Sequence, residues 1–248
     1  MKVKGIVFGA GKSFFETDVL KQISEKVNAG LMDDYIFGVS DRIAVDVIGA
    51  GITPENSNFV MVTQEDFVHH VSKPRLEIFK DFEKFYFNPK VLTYQYNKKL
   101  SIWYSTTSDP ELYELLKRYF SNVNQFYRNQ ATGQTKRENI ICPRFECSNV
   151  GFAAYQVLRT VCGCNQIAFL GLDFIAYEKD RHPNPDKWIA EGNLTLAQMI
   201  PYRDEIAHFN LSESGLFFDS PQLLNCTIDQ YMTDNYEIPK IEMMPTQW

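Results

Sequence analysis

The sequence predicts a doubly wound α/β fold with a mostly parallel sheet. Three observations lead there. Apolar runs such as KGIVFG (4–9), YIFGVS (35–40) and QIAFLGLDF (166–174) lack the polar alternation of a half-exposed strand; they suit strands covered on both faces. Between the runs lie segments whose apolar residues recur at helical spacing. Regular strand–helix alternation builds a parallel sheet with helices on both sides. The predicted body covers 1–175, and 176–248 is a less regular C-terminal extension packed as a lid against its carboxyl edge.

KGIVFG is the first strand. Thr17 stands at the cap position of a helix with Leu20, Ile23 and Val27 on one face, closed by Gly30. YIFGVS is the second strand, DRIAVDVIGAG (41–51) a short helix, and NFVMVTQED (58–66) a third strand with a polar end. PRLEIFKDFEKFYF (74–87) places Leu76, Phe79, Phe82 and Phe85 at helical spacing. KVLTYQY (90–96) and LSIWYST (100–106) are shorter strand candidates. SDPELYELLKRYFSNV (108–123) is a helix marked by Ser108 or Asp109 as cap and Pro110 in its first turn. Residues 124–139 are polar and aperiodic, and are expected to form a loop.

The most regular block is CSNVGFAAYQVLRTVCGCNQIAFLGLDF (147–174). Ala153, Ala154, Val157, Leu158 and Val161 make a small-residue helix able to pack closely on a sheet, Gly163 ends it, and a buried strand follows. Beyond 175 the pattern loosens into YEKDRHPNPDKW (177–188), one helix expected near 195–208 with His208 as its C-terminal cap, and a Pro-dotted tail.

Composition narrows the function classes. The 248 residues are 44% hydrophobic and 14% aromatic, enough for a large core and against whole-chain disorder. A formal charge of −6 leaves no basic footprint for non-specific nucleic-acid binding. No apolar run approaches the roughly 20 residues of a membrane span, and the N-terminus reads as a strand rather than a signal peptide, so a cytoplasmic location is expected. The five cysteines include no C-x-x-C pair and are expected to be reduced thiols. His69-His70 has no matching metal-ligand set.

IVFGAGKSFFETD (6–18) resembles two phosphate motifs and completes neither. Gly11-Lys12-Ser13 ends like a Walker A loop, but Ile6 stands where its first glycine belongs. Gly9-Ala10-Gly11 opens like a dinucleotide fingerprint, but Phe14 stands at the third glycine. Physically, Gly9 and Gly11 let backbone N–H groups approach an anion, a following helix start adds positive charge, and Ser13 offers a hydroxyl. Lys12 is placed to reach a phosphate or to lie in solvent.

Ligands of open parallel sheets bind beyond the carboxyl ends of the strands. Those ends carry Gly9–Ser13, Ser40-Asp41-Arg42, Thr63-Gln64-Glu65-Asp66 and Asp173. Each alone is equally a turn or a helix cap; four at one edge read as a binding cleft.

In this order, the Gly-x-Gly-x-Ser turn, SDR after the second strand, GITPENSNFVMVTQED (51–66) and the 147–174 block resemble the 6-hydroxymethylpterin diphosphokinase-like and motility accessory factor family. That family shares a Rossmann-like fold with bacterial lipooligosaccharide sialyltransferases. The resemblance covers about residues 1–180 and is most specific at 147–174. Lys12 replaces the family's usual proline. The resemblance implies a transferase with a nucleotide-activated donor, glycosyltransferase-like in its leading form, acting on an unidentified acceptor. Donor phosphates would lie near Gly9, Gly11, Ser13, Asn149 and Gly151, and the base or ribose near Ser40 and Asp41. His182 would be the general base. Asp173 would order its loop or hold Mg²⁺, and so matter more to the site than to stability. The leading form needs no cofactor. The alternatives are an Mg²⁺-dependent pyrophosphokinase, with Glu65 and Asp66 as further metal ligands, or a nucleotide-binding protein without turnover.

Overall fold

Lys4–Phe8 forms the central strand, β1, with parallel neighbours on both sides. Its Ile6, Val7 and Phe8 are all fully buried, which a strand achieves only when both faces of its sheet are covered. The computed structural model describes residues 2–63, 83–106, 110–128, 144–145, 149–174 and 185–236. The other strands are β2 (Ile36–Ser40), β3 (Asn58–Thr63), β4 (Leu100–Ser105), β5 (Val123–Arg128), β6 (Arg144–Phe145), β7 (Gln166–Leu170), β8 (Ala207–Asn210) and β9 (Leu224–Asn225). They form one sheet in the order β6-β5-β4-β3-β2-β1-β7-β8-β9, and every described pairing is parallel. The doubly wound α/β prediction is borne out. The chain builds outward from β1 to β6, then crosses to β7 on the other side, so the topological switch point lies between β1 and β7.

Alternate residues of each strand feed two cores. Ile6, Phe8, Phe37, Phe59 and Ile102 pack with helices α2 (Val19–Asn28), α3 (Ala44–Gly49) and α5 (Pro110–Tyr119). Short helices α1 (Lys12–Glu16) and α4 (Pro89–Leu92) lie on connections of that side. Val7, Val60, Val62, Trp103 and Phe169 pack with α6 (Val150–Thr160) and α7 (Pro185–Met199). Helix α6 comes close because Gly5 and Gly38 face it: a Cβ on Gly38 would sit 3.2 Å from Leu158 and 3.4 Å from Ala154. The helix starts at the carboxyl edge, where Gly151 meets Leu172, and ends at the amino edge, where Cys164 meets Gly5.

Several expectations are corrected. KVLTYQY is not a strand: Asn88 accepts from the Lys90 amide at 3.0 Å and Pro89 opens α4, so capping overrides the β-branched and aromatic content. Residues 124–128 belong to β5, whose Phe126 is fully buried; 129–143 lie outside the described residues. The C-terminal helix spans Pro185–Met199, not 195–208, and His208 lies in β8 rather than at a helix end. Nor does the sheet stop at 175, since β8 and β9 extend it. Helix α8 (Ile228–Thr233) packs beneath β1 and β7: the Tyr231 hydroxyl donates to the carbonyls of Gly5 (2.8 Å) and Gln166 (3.0 Å). This part of the extension sits by the amino ends of the strands, not against the carboxyl edge.

Candidate functional site at the carboxyl edge

The glycine turn after β1 lies against the turn after β7. The Gly9 amide donates to the Leu170 carbonyl and the Gly11 amide to the Gly171 carbonyl, both at 2.8 Å. A Cβ on Gly9 would approach Gly171 O to 2.4 Å; one on Gly11 would approach it to 2.6 Å and Asp173 Oδ2 to 2.8 Å. Ser13 completes the seam. Its amide donates to Asp173 Oδ2 at 2.6 Å and its hydroxyl to Oδ1 at 2.5 Å. The Ser13 hydroxyl also accepts from the Gly171 amide at 3.1 Å and lies 2.8 Å from the Ser212 hydroxyl.

The phosphate roles expected of Gly9, Gly11 and Ser13 are therefore corrected. All three amides and the hydroxyl are spent inside the protein, and the anion at the start of α1 is the protein's own Asp173 carboxylate. Asp173 is buried and serves the seam. Its neighbourhood is crowded: Gly215 abuts its backbone, the Leu216 amide donates to its carbonyl at 2.8 Å, and Phe174 adopts a left-handed φ of 48°. Lys12 pairs with Glu16 at 3.0 Å along α1.

The other side of the switch point is built differently. Asp41, at the end of β2, is buried; its Oδ1 accepts from the Arg42 amide at 2.8 Å and its Oδ2 from the Thr63 hydroxyl at the end of β3. Among the described residues, the buried Ser40 Oγ and Thr106 Oγ1, at the ends of β2 and β4, have no hydrogen-bond partner. A buried hydroxyl left unpaired costs about 1–3 kcal/mol.

Asn149 caps α6, accepting from the Phe152 amide at 2.9 Å, and its amide donates to the Thr195 hydroxyl of α7 at 2.8 Å. Gly151 is a glycine for packing, since a Cβ there would lie 2.5 Å from Leu172. The start of α6 thus stands over the seam at the same edge as Ser40 and Asp41. His182, Glu65, Asp66 and His69-His70 lie outside the described residues. Among the described residues, no group of three or more His, Cys, Asp or Glu could hold a metal ion, and no helix is long and apolar enough to cross a membrane. Burial pushes the Cys162 thiol up to about 11, and those of Cys164 and Cys226 up to about 12, so none of these three is a thiolate nucleophile at neutral pH.

Sequence reading missed Thr63 as the partner of Asp41, Ser212 as that of Ser13, Thr195 as that of Asn149, and the orphaned Thr106 hydroxyl. Gly171 carried a usable signal, as a glycine directly after an apolar strand. The hydroxyl partners carried none, because their pairings span 22 to 199 residues. No family model matches the chain, and no curated protein matches it.

Proposed function

We propose that the chain is a transferase that takes a nucleotide-activated donor at the carboxyl edge, most simply a nucleotide sugar. The observation that carries the reading is the end of β2. There a buried carboxylate, Asp41, adjoins an unpartnered hydroxyl, Ser40, beside the switch point of a parallel sheet. An acid at that position is suited to ribose hydroxyls. The phosphates then fall to the start of the 11-residue helix α6. In the transfer, an acceptor hydroxyl oxygen bonds to the anomeric carbon. The carbon–oxygen bond to the donor phosphate breaks, the nucleotide leaves with that electron pair, and the hydroxyl proton passes to a base. The family resemblance assigns that base to His182, whose unperturbed pKa near 6.5 suits it at neutral pH.

Calorimetry with CMP-, UDP- and GDP-sugars and with ATP, each with and without Mg²⁺, tests the reading. Saturable binding of one sugar nucleotide is expected, with turnover of that donor lowered about 10²–10⁴-fold in His182→Ala at unchanged donor affinity. Absence of saturable binding by any sugar nucleotide would overturn it; preferential, Mg²⁺-dependent binding of ATP would replace it with pyrophosphoryl transfer.

A further inference from the structure

Helix α7 meets the carboxyl edge through one side of a single turn. Gly192 lets the chain beyond β7 come close: a Cβ there would lie 2.6 Å from Leu216 and 2.7 Å from Phe174. Both border Asp173, since Phe174 follows it and the Leu216 amide donates to its carbonyl at 2.8 Å. Thr195, three residues after Gly192, stands on the same side of the helix. Its hydroxyl accepts from Asn149, the cap of α6, at 2.8 Å. One helical turn thus joins the seam of β1 and β7 to the start of α6.

The Thr195 contact settles how Asn149 caps. Thr195 is fully buried, and its hydroxyl donates to the Glu191 carbonyl one turn back at 2.8 Å. With that proton committed, the oxygen offers Asn149 an acceptor. The Asn149 amide nitrogen therefore points at Thr195, which leaves its Oδ1 to accept from the Phe152 amide at 2.9 Å. Reversed, the side chain would set oxygen against oxygen at Thr195 and N–H against N–H at Phe152. Hydrogen bonds in series, from Phe152 to Asn149 to Thr195 to Glu191, hold the cap in one orientation.

A buried position inside a helix has no need of a hydroxyl for its own sake. Valine has nearly the same outline, and a threonine that bonds back to the carbonyl one turn earlier slightly disfavours the helix. What the hydroxyl adds at 195 is the acceptor for Asn149. Through that contact the first turn of α6 is set. The Phe152 amide goes to the Asn149 side chain and the Ala153 amide to the Asn149 carbonyl at 3.0 Å, so a ligand at this helix start meets the amides ahead of them.

We propose that Thr195 is a positioning residue for the transfer: acting through Asn149, it holds the start of α6 where the donor phosphate docks. This role rests on the carboxyl-edge reading of function. It adds to that reading the residue of α7 on which binding of the phosphate, as distinct from binding of the nucleoside, depends.

Thr195→Val and Thr195→Ser in the full-length protein test it. Each is titrated with CMP-, UDP- and GDP-sugars and with cytidine, uridine and guanosine, followed by backbone amide NMR, which reads binding into the millimolar range. Whichever sugar nucleotide the unaltered protein binds should bind Thr195→Val about tenfold more weakly, the loss of about one charge-assisted hydrogen bond. The matching nucleoside should keep its affinity. Thr195→Ser retains the hydroxyl and should match the unaltered protein in both. The Phe152 amide should exchange faster in Thr195→Val alone. Asn149→Ser keeps a good cap but is too short to reach Thr195, so it should reproduce the selective loss even if Thr195→Val folds poorly. Unchanged affinity of Thr195→Val and Asn149→Ser for the sugar nucleotide, or an equal loss for nucleotide and nucleoside, would overturn the proposal and leave the carboxyl-edge reading standing. No binding of any sugar nucleotide by the unaltered protein would remove that reading, and this role with it.

Discussion

Asp173 accepts both hydrogen bonds that Ser13 donates to it, from the amide at 2.6 Å and the hydroxyl at 2.5 Å, across 160 residues of chain. The pair joins the turn after β1 to the turn after β7, the two central strands of the sheet. Hydrogen bonds to a charged group contribute about 1.5–3 kcal/mol each, and removing the acceptor leaves a buried amide unpaired. Asp173→Ala is therefore expected to lower unfolding stability by about 2–4 kcal/mol in urea titrations. The sequence reading expected Asp173 to matter more to the site. A fully stable Asp173→Ala protein would restore that view.

Gly11 makes the same point through space rather than charge. Its absent Cβ would fall 2.6 Å from a carbonyl oxygen and 2.8 Å from the Asp173 carboxylate, both held by the seam. The space beside Gly11 is thus filled by the protein itself. Gly11→Ala should lower stability by about 1–3 kcal/mol, the usual range for overpacking, with any loss of donor affinity following from it. Thermal melts and calorimetry on one preparation would separate the effects; lost affinity at unchanged melting temperature would return Gly11 to the ligand.

What was legible in the sequence follows from what is local. KGIVFG, YIFGVS and QIAFLGLDF declared buried strands because a strand covered on both faces needs apolar residues at every position. The α6 block was equally plain, since its small residues record how close the sheet lies. KVLTYQY misled because strand-like side chains occupy a segment whose conformation Asn88 and Pro89 decide. Strands β8 and β9 hid because they are four and two residues long, and a strand that short carries no period. The site was half legible: its edge could be placed from strand ends, but whether Gly9, Gly11 and Ser13 face a ligand or another loop depends on strand order. That order puts β7 beside β1, 158 residues from Ser13 to Gly171.

His208 should govern part of the acid sensitivity. Burial, with the Arg159 charge adding to it, lowers its pKa from 6.5 to about 4, so between those values the unfolded chain binds a proton that the folded chain refuses. Stability consequently falls as pH drops through that window, by at most about 3 kcal/mol. His208→Gln, which keeps a polar group for the Tyr155 hydroxyl, should be less stable at pH 7 yet show a shallower loss between pH 6.5 and 4. Urea midpoints at half-unit pH intervals would show it, and parallel profiles for the two proteins would mean that other groups set the acid limb.

The end of β2 offers the sharpest separation of binding from folding. Asp41 holds the β2–β3 edge together through Thr63 and its own chain through the Arg42 amide. A carboxylate at a strand end of this edge is the group that the ribose of the proposed donor would meet. Asp41→Asn retains one oxygen acceptor and the side-chain shape but loses the charge, and a hydrogen bond to a charged group exceeds a neutral one by about 1 kcal/mol or more. Donor affinity should then fall about 10-fold or more, with two ribose hydroxyls engaged, while the melting temperature moves by only a few degrees. Thr63→Val should do the reverse: it withdraws a donor from a buried carboxylate, lowering stability by about 1–3 kcal/mol, and leaves the Asp41 carboxylate itself in place. Two variants with opposite signatures are hard to obtain from a purely structural strand end. If both lower stability and neither alters the affinity of any sugar nucleotide, Asp41 belongs to the scaffold alone.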